Sequence, residues 1–222
     1  MLSIIIPVLN EYERVRSDAF LSYCNDLQTQ QSELIFVDGG SGDGTYECLQ
    51  SQGFKVVVSQ PGRASQMNMG AAQAKGDTLL FLHCDTRIQA SIENLAMALH
   101  GKEWGFFTLQ LDNNGFLYRC IAKGIRFRAR AFSVATGDQG IFVSAKLFQS
   151  VGGYPQIELM EDVALSRSLK RVSSPAILSI PIIASARRWQ KSGAIKMIVL
   201  MWGIQLAYKL GVSPKQLNLW YR

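Results

Sequence analysis

Four short apolar runs dominate the first 85 residues and fix what this chain can become. They are Ser3-Ile4-Ile5-Ile6-Pro7-Val8, Leu34-Ile35-Phe36-Val37, Phe54-Lys55-Val56-Val57-Val58 and Asp77-Thr78-Leu79-Leu80-Phe81-Leu82. Continuous runs without polar alternation are what strands buried on both faces of a parallel sheet look like. Between them lie segments with helical spacing. Residues 10–31 carry Ala19, Phe20, Tyr23 and Leu27, residues 45–52 form a short helix, and residues 63–75 are rich in Ala and Met. Strand and helix in this alternation require crossover connections, hence a doubly wound α/β sheet. Pro7 has no donor for a sheet ladder, so the first strand is expected to end there.

The second half is less regular. Residues 89–99 read as a helix, 104–111 as a strand, 140–144 as a short strand, and 145–151 and 160–171 as helices. An extended segment runs over 175–183 and a last apolar helix over 191–210. Residues 117–132 form a basic helix. Its Arg119, Lys123, Arg126 and Arg130 fall on one face, and Leu117, Ile121, Ile125 and Phe132 fall on the other. No repeat or low-complexity linker divides the chain. One domain is expected over 1–222, with halves at 1–111 and 112–190 and a C-terminal helix and tail from 191. The hydrophobic fraction of 48% and charged fraction of 18% allow a sizeable core and argue against disorder. No apolar stretch reaches the ~18 residues of a membrane span. The N-terminus lacks the basic start and cleavage site of a signal peptide.

In open α/β sheets ligands gather beyond the carboxyl ends of the strands. Leu9-Asn10-Glu11, Asp38-Gly39-Gly40-Ser41 and His83-Cys84-Asp85 are expected at such ends. Asp38, followed by glycines, suits either a nucleotide-contacting carboxylate or a turn-capping one. The loop has neither G-x-G-x-x-G nor G-K-[ST], which disfavours dinucleotide and P-loop readings. Asp85 suits a hard divalent cation bridging a diphosphate. It equally suits a helix cap before Ser91 or a pair with Arg87. Glu161-Asp162 opens a helix on which Asp162, Leu165 and Leu169 share a face. Burial and the Glu161 charge would raise the Asp162 pKa toward that of a general base, and the helix N-terminus would oppose them. An N-cap aspartate is the plain alternative. Arg63 and Arg187-Arg188 suit phosphate oxygens or plain solvation. Cys24, Cys48, Cys84 and Cys120 match no zinc spacing and are expected as reduced thiols in a cytoplasmic protein.

Seven segments in order resemble the family 2 glycosyltransferases, which have the GT-A fold. They are residues 3–11, 37–45, 62–68, 81–86, 137–142, 151–155 and 160–163, which together span residues 3–171. The form Phe-Leu-His-x-Asp-Thr, with Gly-Asp-Gln and Met-Glu-Asp, is similar to a bacterial subgroup encoded beside radical-SAM proteins. The resemblance implies inverting sugar transfer from a nucleoside diphosphate sugar to an acceptor hydroxyl, assisted by Mg²⁺ or Mn²⁺. It implies that Pro7, Leu9 and Glu11 line the nucleotide pocket, that Asp38 contacts the base and that Arg63 lies near the donor. His83, Cys84 and Asp85 would complete the donor side, with Asp85 as the metal-binding carboxylate. Here His83 stands where the family's usual Asp-x-Asp has its first Asp, leaving one acidic ligand fewer. Asp162 matches the catalytic base. Asp138, Gln139 and Glu161 would line the acceptor side, and Arg188 would help hold the leaving diphosphate. Two other readings remain: a nucleotidyltransferase, which would release pyrophosphate, and a nucleotide-sugar binder without transfer activity.

The charge is uneven. Residues 1–111 carry 7 Lys/Arg and 12 Asp/Glu, whereas residues 112–222 carry 16 and 5. Ten Lys/Arg and no acidic residue follow Asp162. Such a tail favours anionic partners. Nucleic acid is not expected, because no recognised module or interleaved aromatics accompany the charge. The apolar stretch between Lys196 and Lys209, about 18 Å as a helix, is too short to span a bilayer. It is expected to be buried against the domain, in a homodimer seam, or at the inner membrane face.

Overall fold

The chain is described here by a computed structural model covering residues 1–221; the side chains of residues 188, 191, 192 and 195 lie outside that description. The expected apolar runs form β1 (Leu2–Val8), β2 (Ser32–Asp38), β3 (Lys55–Val58) and β4 (Thr78–Phe81). They are joined by α1 (Tyr12–Val15), α2 (Asp18–Leu27), α3 (Thr45–Ser51) and α4 (Arg63–Ala72). The remainder comprises β5 (Thr86–Ile88), α5 (Ile92–Leu99), β6 (Trp104–Leu111), α6 (Phe116–Phe132), β7 (Ile141–Ser144), α7 (Ala145–Ser150), α8 (Glu161–Val172), β8 (Ala176–Ala184), α9 (Arg187–Ser192), α10 (Ala194–Lys209) and α11 (Pro214–Tyr221).

One sheet of eight strands has the order β3-β2-β1-β4-β7-β6-β8-β5. The first four are parallel. β7 runs antiparallel to both neighbours, β6 and β8 are parallel, and β5 is antiparallel to β8. Successive strand residues point to opposite faces. Ile4, Ile6, Val8, Leu34 and Phe36 therefore pack with Phe20, Cys24, Leu49 and Leu95 on one face. Ile5, Ile35 and Val37 pack with Ala64, Met67, Phe148, Leu165 and Leu169 on the other.

Four details depart from expectation. Pro7 does not end β1, which continues to Val8 opposite Asp38. Pairing with β4 stops at Ile5 and Phe81, although Leu82 N–H still reaches the Ile5 carbonyl at 3.0 Å. Residue 7 points its missing donor to that same side, where β4 has already turned away, so no ladder bond is lost. The polar segment after β1 is two helices rather than one. The buried side of α6 is Ile121, Ala122 and Ala129, whereas Leu117 and Phe132 are 40% and 61% exposed. Arg126 leaves the basic face to donate to the Leu109 carbonyl at 2.9 Å. Finally, α11 packs back on α10 and buries Leu217 with Leu159, Met160, Val163 and Ile204. The apolar α10 is thus only half covered.

Candidate active site

Because β1, β2 and β4 are parallel, Asn10-Glu11, the loop 38–45 and the turn 83–85 emerge at one edge of the sheet. The loops interlock there. Asn10 N–H donates to Ser41 Oγ at 2.9 Å and Gly42 N–H to Asn10 Oδ1 at 3.0 Å. Glu11 N–H donates to Thr45 Oγ1 at 2.9 Å and Tyr12 N–H to Asp43 Oδ2 at 3.0 Å. Asn10 adopts φ 53°, a left-handed conformation that Asn tolerates better than most residues. Beneath the loops lies Gln66, 3% exposed, donating to the Val8 and Val37 carbonyls at 2.7 and 2.8 Å.

Asp38 is buried, and its carboxylate accepts from Gly40 N–H, Ser41 N–H and Ser41 Oγ. It shapes the loop through these bonds. Pro7 is buried beneath it and Leu9 is exposed at the rim. A cleft of about 360 Å³ beside them is lined by Asn10, Glu11, Arg14, Asp43 and Arg187 among others. Arg187 is thus on this cleft, whose lining does not include Arg63 or Asp85. Arg188 lies outside the described side chains.

Asp85 neither caps the next helix nor pairs with Arg87. Ser91 caps α5, and Arg87 turns to the Ala19 carbonyl and the Tyr23 ring. Burial raises the Asp85 pKa; Arg14 opposes this, and the Asp138 and Glu11 charges add to it. Glu11 pairs with Arg14 at 3.1 Å and sits against the Cys84 thiol. Burial, then the Glu11 and Asp85 charges, keep that thiol protonated.

His83 is half-buried, and desolvation, assisted by the Arg63 charge, pushes its pKa down to about 3. It is therefore a neutral imidazole at any physiological pH. Its ring lies on Gly137, where a Cβ would stand 2.4 Å from Nε2. Gly137 opens a 3₁₀ turn (Gly137–Gln139) whose first N–H donates to Asp162 Oδ2 at 2.6 Å. Gln139 is turned inward, 1% exposed, with its carbonyl oxygen accepting from Thr136 N–H at 3.2 Å.

Asp162 sits in the first turn of α8, behind Met160 at φ 70°. A non-glycine residue held there stores backbone strain. Oδ1 of Asp162 accepts from Val163 N–H at 2.6 Å. Burial raises its pKa, the two N–H donors pull it down, and Asp138 adds to the rise. Glu161 is 5% exposed, and burial and then Asp162 raise its pKa, with Arg63 opposing from 4.0 Å. Arg63 keeps about half of its side chain in solvent, and Glu161, Tyr221, Asp162 and Asp85 outweigh what desolvation it has and raise its pKa. One guanidinium therefore feels the carboxylates of Asp85, Glu161 and Asp162 together.

Sequence reading missed Gln66, Arg14, Gly137 and Arg128. Arg128 is drawn toward Asp138 and Asp162, against a desolvation that lowers its pKa. Its Nε has no hydrogen-bond partner among the described residues. Its place on the apparently uniform basic helix α6 hid it.

Among the described residues, no three His, Cys, Asp or Glu side chains cluster as a ready-made cage. Asp85 nevertheless offers hard oxygen, and the negative charges of Glu11 and Asp138 bear on it. That fits Mg²⁺ or Mn²⁺, which take few protein ligands when phosphate oxygens fill the rest.

A family model described as glycosyl transferase family 2 matches residues 3–115. The chain is 35% identical over 136 residues to an uncharacterized glycosyltransferase of Mycobacterium tuberculosis, covering 55% of this chain and 50% of that one. It spans about half the length of the curated relatives it matches. Among solved structures, Staphylococcus aureus TarS 1-349 in complex with UDP-GlcNAc aligns with a TM-score of 0.63 at 16% identity, covering 83% of this chain and 58% of that one. The mannosyltransferase PcManGT of Pyrobaculum calidifontis, in complex with GDP-Man and Mn²⁺, aligns with a TM-score of 0.60 at 17% identity, covering 83% and 56%. The α/β architecture is that of these GT-A structures.

Proposed function

The chain belongs to glycosyl transferase family 2, and on that premise we propose that it moves a sugar, with inversion, from a nucleoside diphosphate sugar to an acceptor hydroxyl. The observation that carries this is the shared environment of Asp85 and Asp162. Two carboxylates from distant parts of the chain both feel the charges of Arg63 and Asp138, and Arg63 lies 4.0 Å from Glu161, the neighbour of Asp162.

An inverting displacement needs a base on one side of the anomeric carbon and a stabilised leaving group on the other. Asp162 supplies the base. Its raised pKa favours taking the hydroxyl proton, and the Gly137 and Val163 N–H groups fix its orientation. The acceptor oxygen bonds to the anomeric carbon as the bond to the diphosphate breaks. Arg63, which feels the Asp85 charge, would hold the departing phosphate charge, with Arg188 as its expected helper. A cation held by Asp85, when bound, would add Lewis-acid neutralisation of the diphosphate. Pro7, Leu9 and Glu11 border the nucleotide, and the loop shaped by Asp38 lies where the base would rest. Asp138 and Glu161 border the acceptor, while Gln139 holds the turn that carries Asp138. The neutral His83 replaces a charge with a ring that packs on the Asp162-binding turn. Four unpaired thiols suit a reducing, cytoplasmic compartment.

The test is product analysis with a panel of nucleoside diphosphate sugars and Mn²⁺. Release of nucleoside diphosphate is the expected result. Release of pyrophosphate would assign nucleotidyl transfer instead. Donor binding with no turnover on any acceptor panel would leave a binding protein.

A further inference from the structure

The α10–α11 hairpin has two unlike sides. Its inner side is buried: Ile204 and Leu217 pack with Met160 and Val163, the residues flanking Glu161-Asp162. Along the outer side of α10, helical spacing aligns Lys196, Val199, Trp202, Leu206 and Lys209. Val199 is 67%, Trp202 72% and Leu206 60% exposed. The tip and α11 add Leu210, Leu219 and Trp220, which are 77%, 68% and 55% exposed. The outward stripe of a water-facing helix is ordinarily polar, so a contiguous apolar one marks a contact surface.

Charge decides among its occupants. Lys196 and Lys209 close the two ends of the stripe, and Lys215 lies exposed in the first turn of α11. No carboxylate follows Asp162 anywhere in the chain. A second copy on this face would set Lys196 and Lys209 against like charges, and Glu158, a carboxylate beside the hairpin, is already engaged by Asn218 of α11. No described helix is long and apolar enough to cross a membrane. An anionic lipid interface satisfies both halves of the pattern: apolar chains for the stripe, headgroup phosphates for its lysines, and the boundary for two indoles.

We infer that the outer face of the α10–α11 hairpin docks on an anionic membrane surface, lying in the interface without spanning it. The hairpin then stands between the lipid and α8. The acceptor end of the cleft is held roughly one helix diameter, about 10 Å, from the headgroups.

The experiment is flotation of the full chain with phosphatidylcholine vesicles, with and without 30% phosphatidylglycerol, alongside tryptophan emission and light scattering. Expected are retention on the anionic vesicles alone, a blue-shifted emission, and a monomer in solution. Salt at 0.5 M should weaken binding at least tenfold. Trp202→Glu with Leu206→Glu, and separately Lys196→Glu with Lys209→Glu, should each weaken it at least tenfold. Both should leave the melting temperature and solution donor turnover unchanged. Turnover without vesicle binding would sink the docking while sparing the sugar-transfer reading. Equal retention on neutral vesicles, equal retention of the variants, or a dimer that Trp202→Glu with Leu206→Glu dissolves would each overturn the inference.

Discussion

Replacing Gly137 with alanine should disable the site while leaving the fold intact, and removing His83 should undo much of the damage. The backbone at Gly137 lies outside the left-handed region, so alanine brings no conformational penalty of its own. The obstacle is contact: the new methyl would meet His83 Nε2 at 2.4 Å and Cε1 at 2.5 Å. Carbon contacts settle at ~3.5–4.0 Å, so about 1 Å of relief is needed. The imidazole is half-buried, so ring and turn share the displacement, and the turn carries the N–H that Asp162 Oδ2 holds at 2.6 Å. Overpacking of this kind costs ~1–3 kcal/mol, which in a chain this size lowers Tm by ~2–12 °C. A catalytic group displaced by ~1 Å loses ~10²-fold in rate. The assay is a double-mutant cycle on Tm and kcat using Gly137→Ala, His83→Ala and the pair. The pair should be better than the sum of the single losses by ~1–3 kcal/mol, because the ring that obstructs the methyl is gone. Strictly additive losses would refute the contact as the cause.

Three further outcomes follow from the same geometry. Asp162→Asn should lower kcat by ~10²–10⁴-fold while nucleotide affinity, read by titration calorimetry, stays within about twofold; near wild-type turnover would remove Asp162 as the base. Asp85→Ala should reduce nucleotide affinity in Mn²⁺ to its Mn²⁺-free level, and a wild type that binds equally with and without Mn²⁺ would end the metal role. Glu161 has a folded pKa raised by burial and Asp162, against the opposing pull of Arg63. Its contribution to stability is therefore most favourable below the ordinary carboxylate range and is lost as pH rises through the raised value. Glu161→Gln should melt higher than wild type at pH 8, with the gain vanishing near pH 4; a lower Tm at pH 8 would show that the Arg63 pair dominates.

The parallel half of the fold was legible because strands buried on both faces must be continuous apolar runs, and four such runs sit in the first 85 residues. The sheet edge then followed from topology, which brought Glu11, Asp38 and Asp85 to the same end. The second half was not legible to the same degree, for local reasons. β5 is three residues long and pairs with β8 nearly a hundred positions later, a contact no local pattern announces. The buried stripe of α6 relies on Ala122 and Ala129, small residues that hydrophobic spacing undervalues, whereas its large Leu117 and Phe132 face out. The loop-binding role of Asp38 was one of the two readings its glycines allowed, whereas Gln139, which answers its own turn rather than a ligand, was hidden. Gly137 became visible only when His83, 54 positions away in sequence, lay against it.

The most direct test of a single cleft uniting Asp85 and Asp162 is a crystal structure with nucleoside diphosphate and Mn²⁺ bound. The diphosphate should lie between Asp85 and Arg63, with the base over the loop 38–45 and the Asp162 carboxylate facing the vacated sugar position. A nucleotide bound elsewhere, or a diphosphate remote from Asp85 and Arg63, would contradict the account.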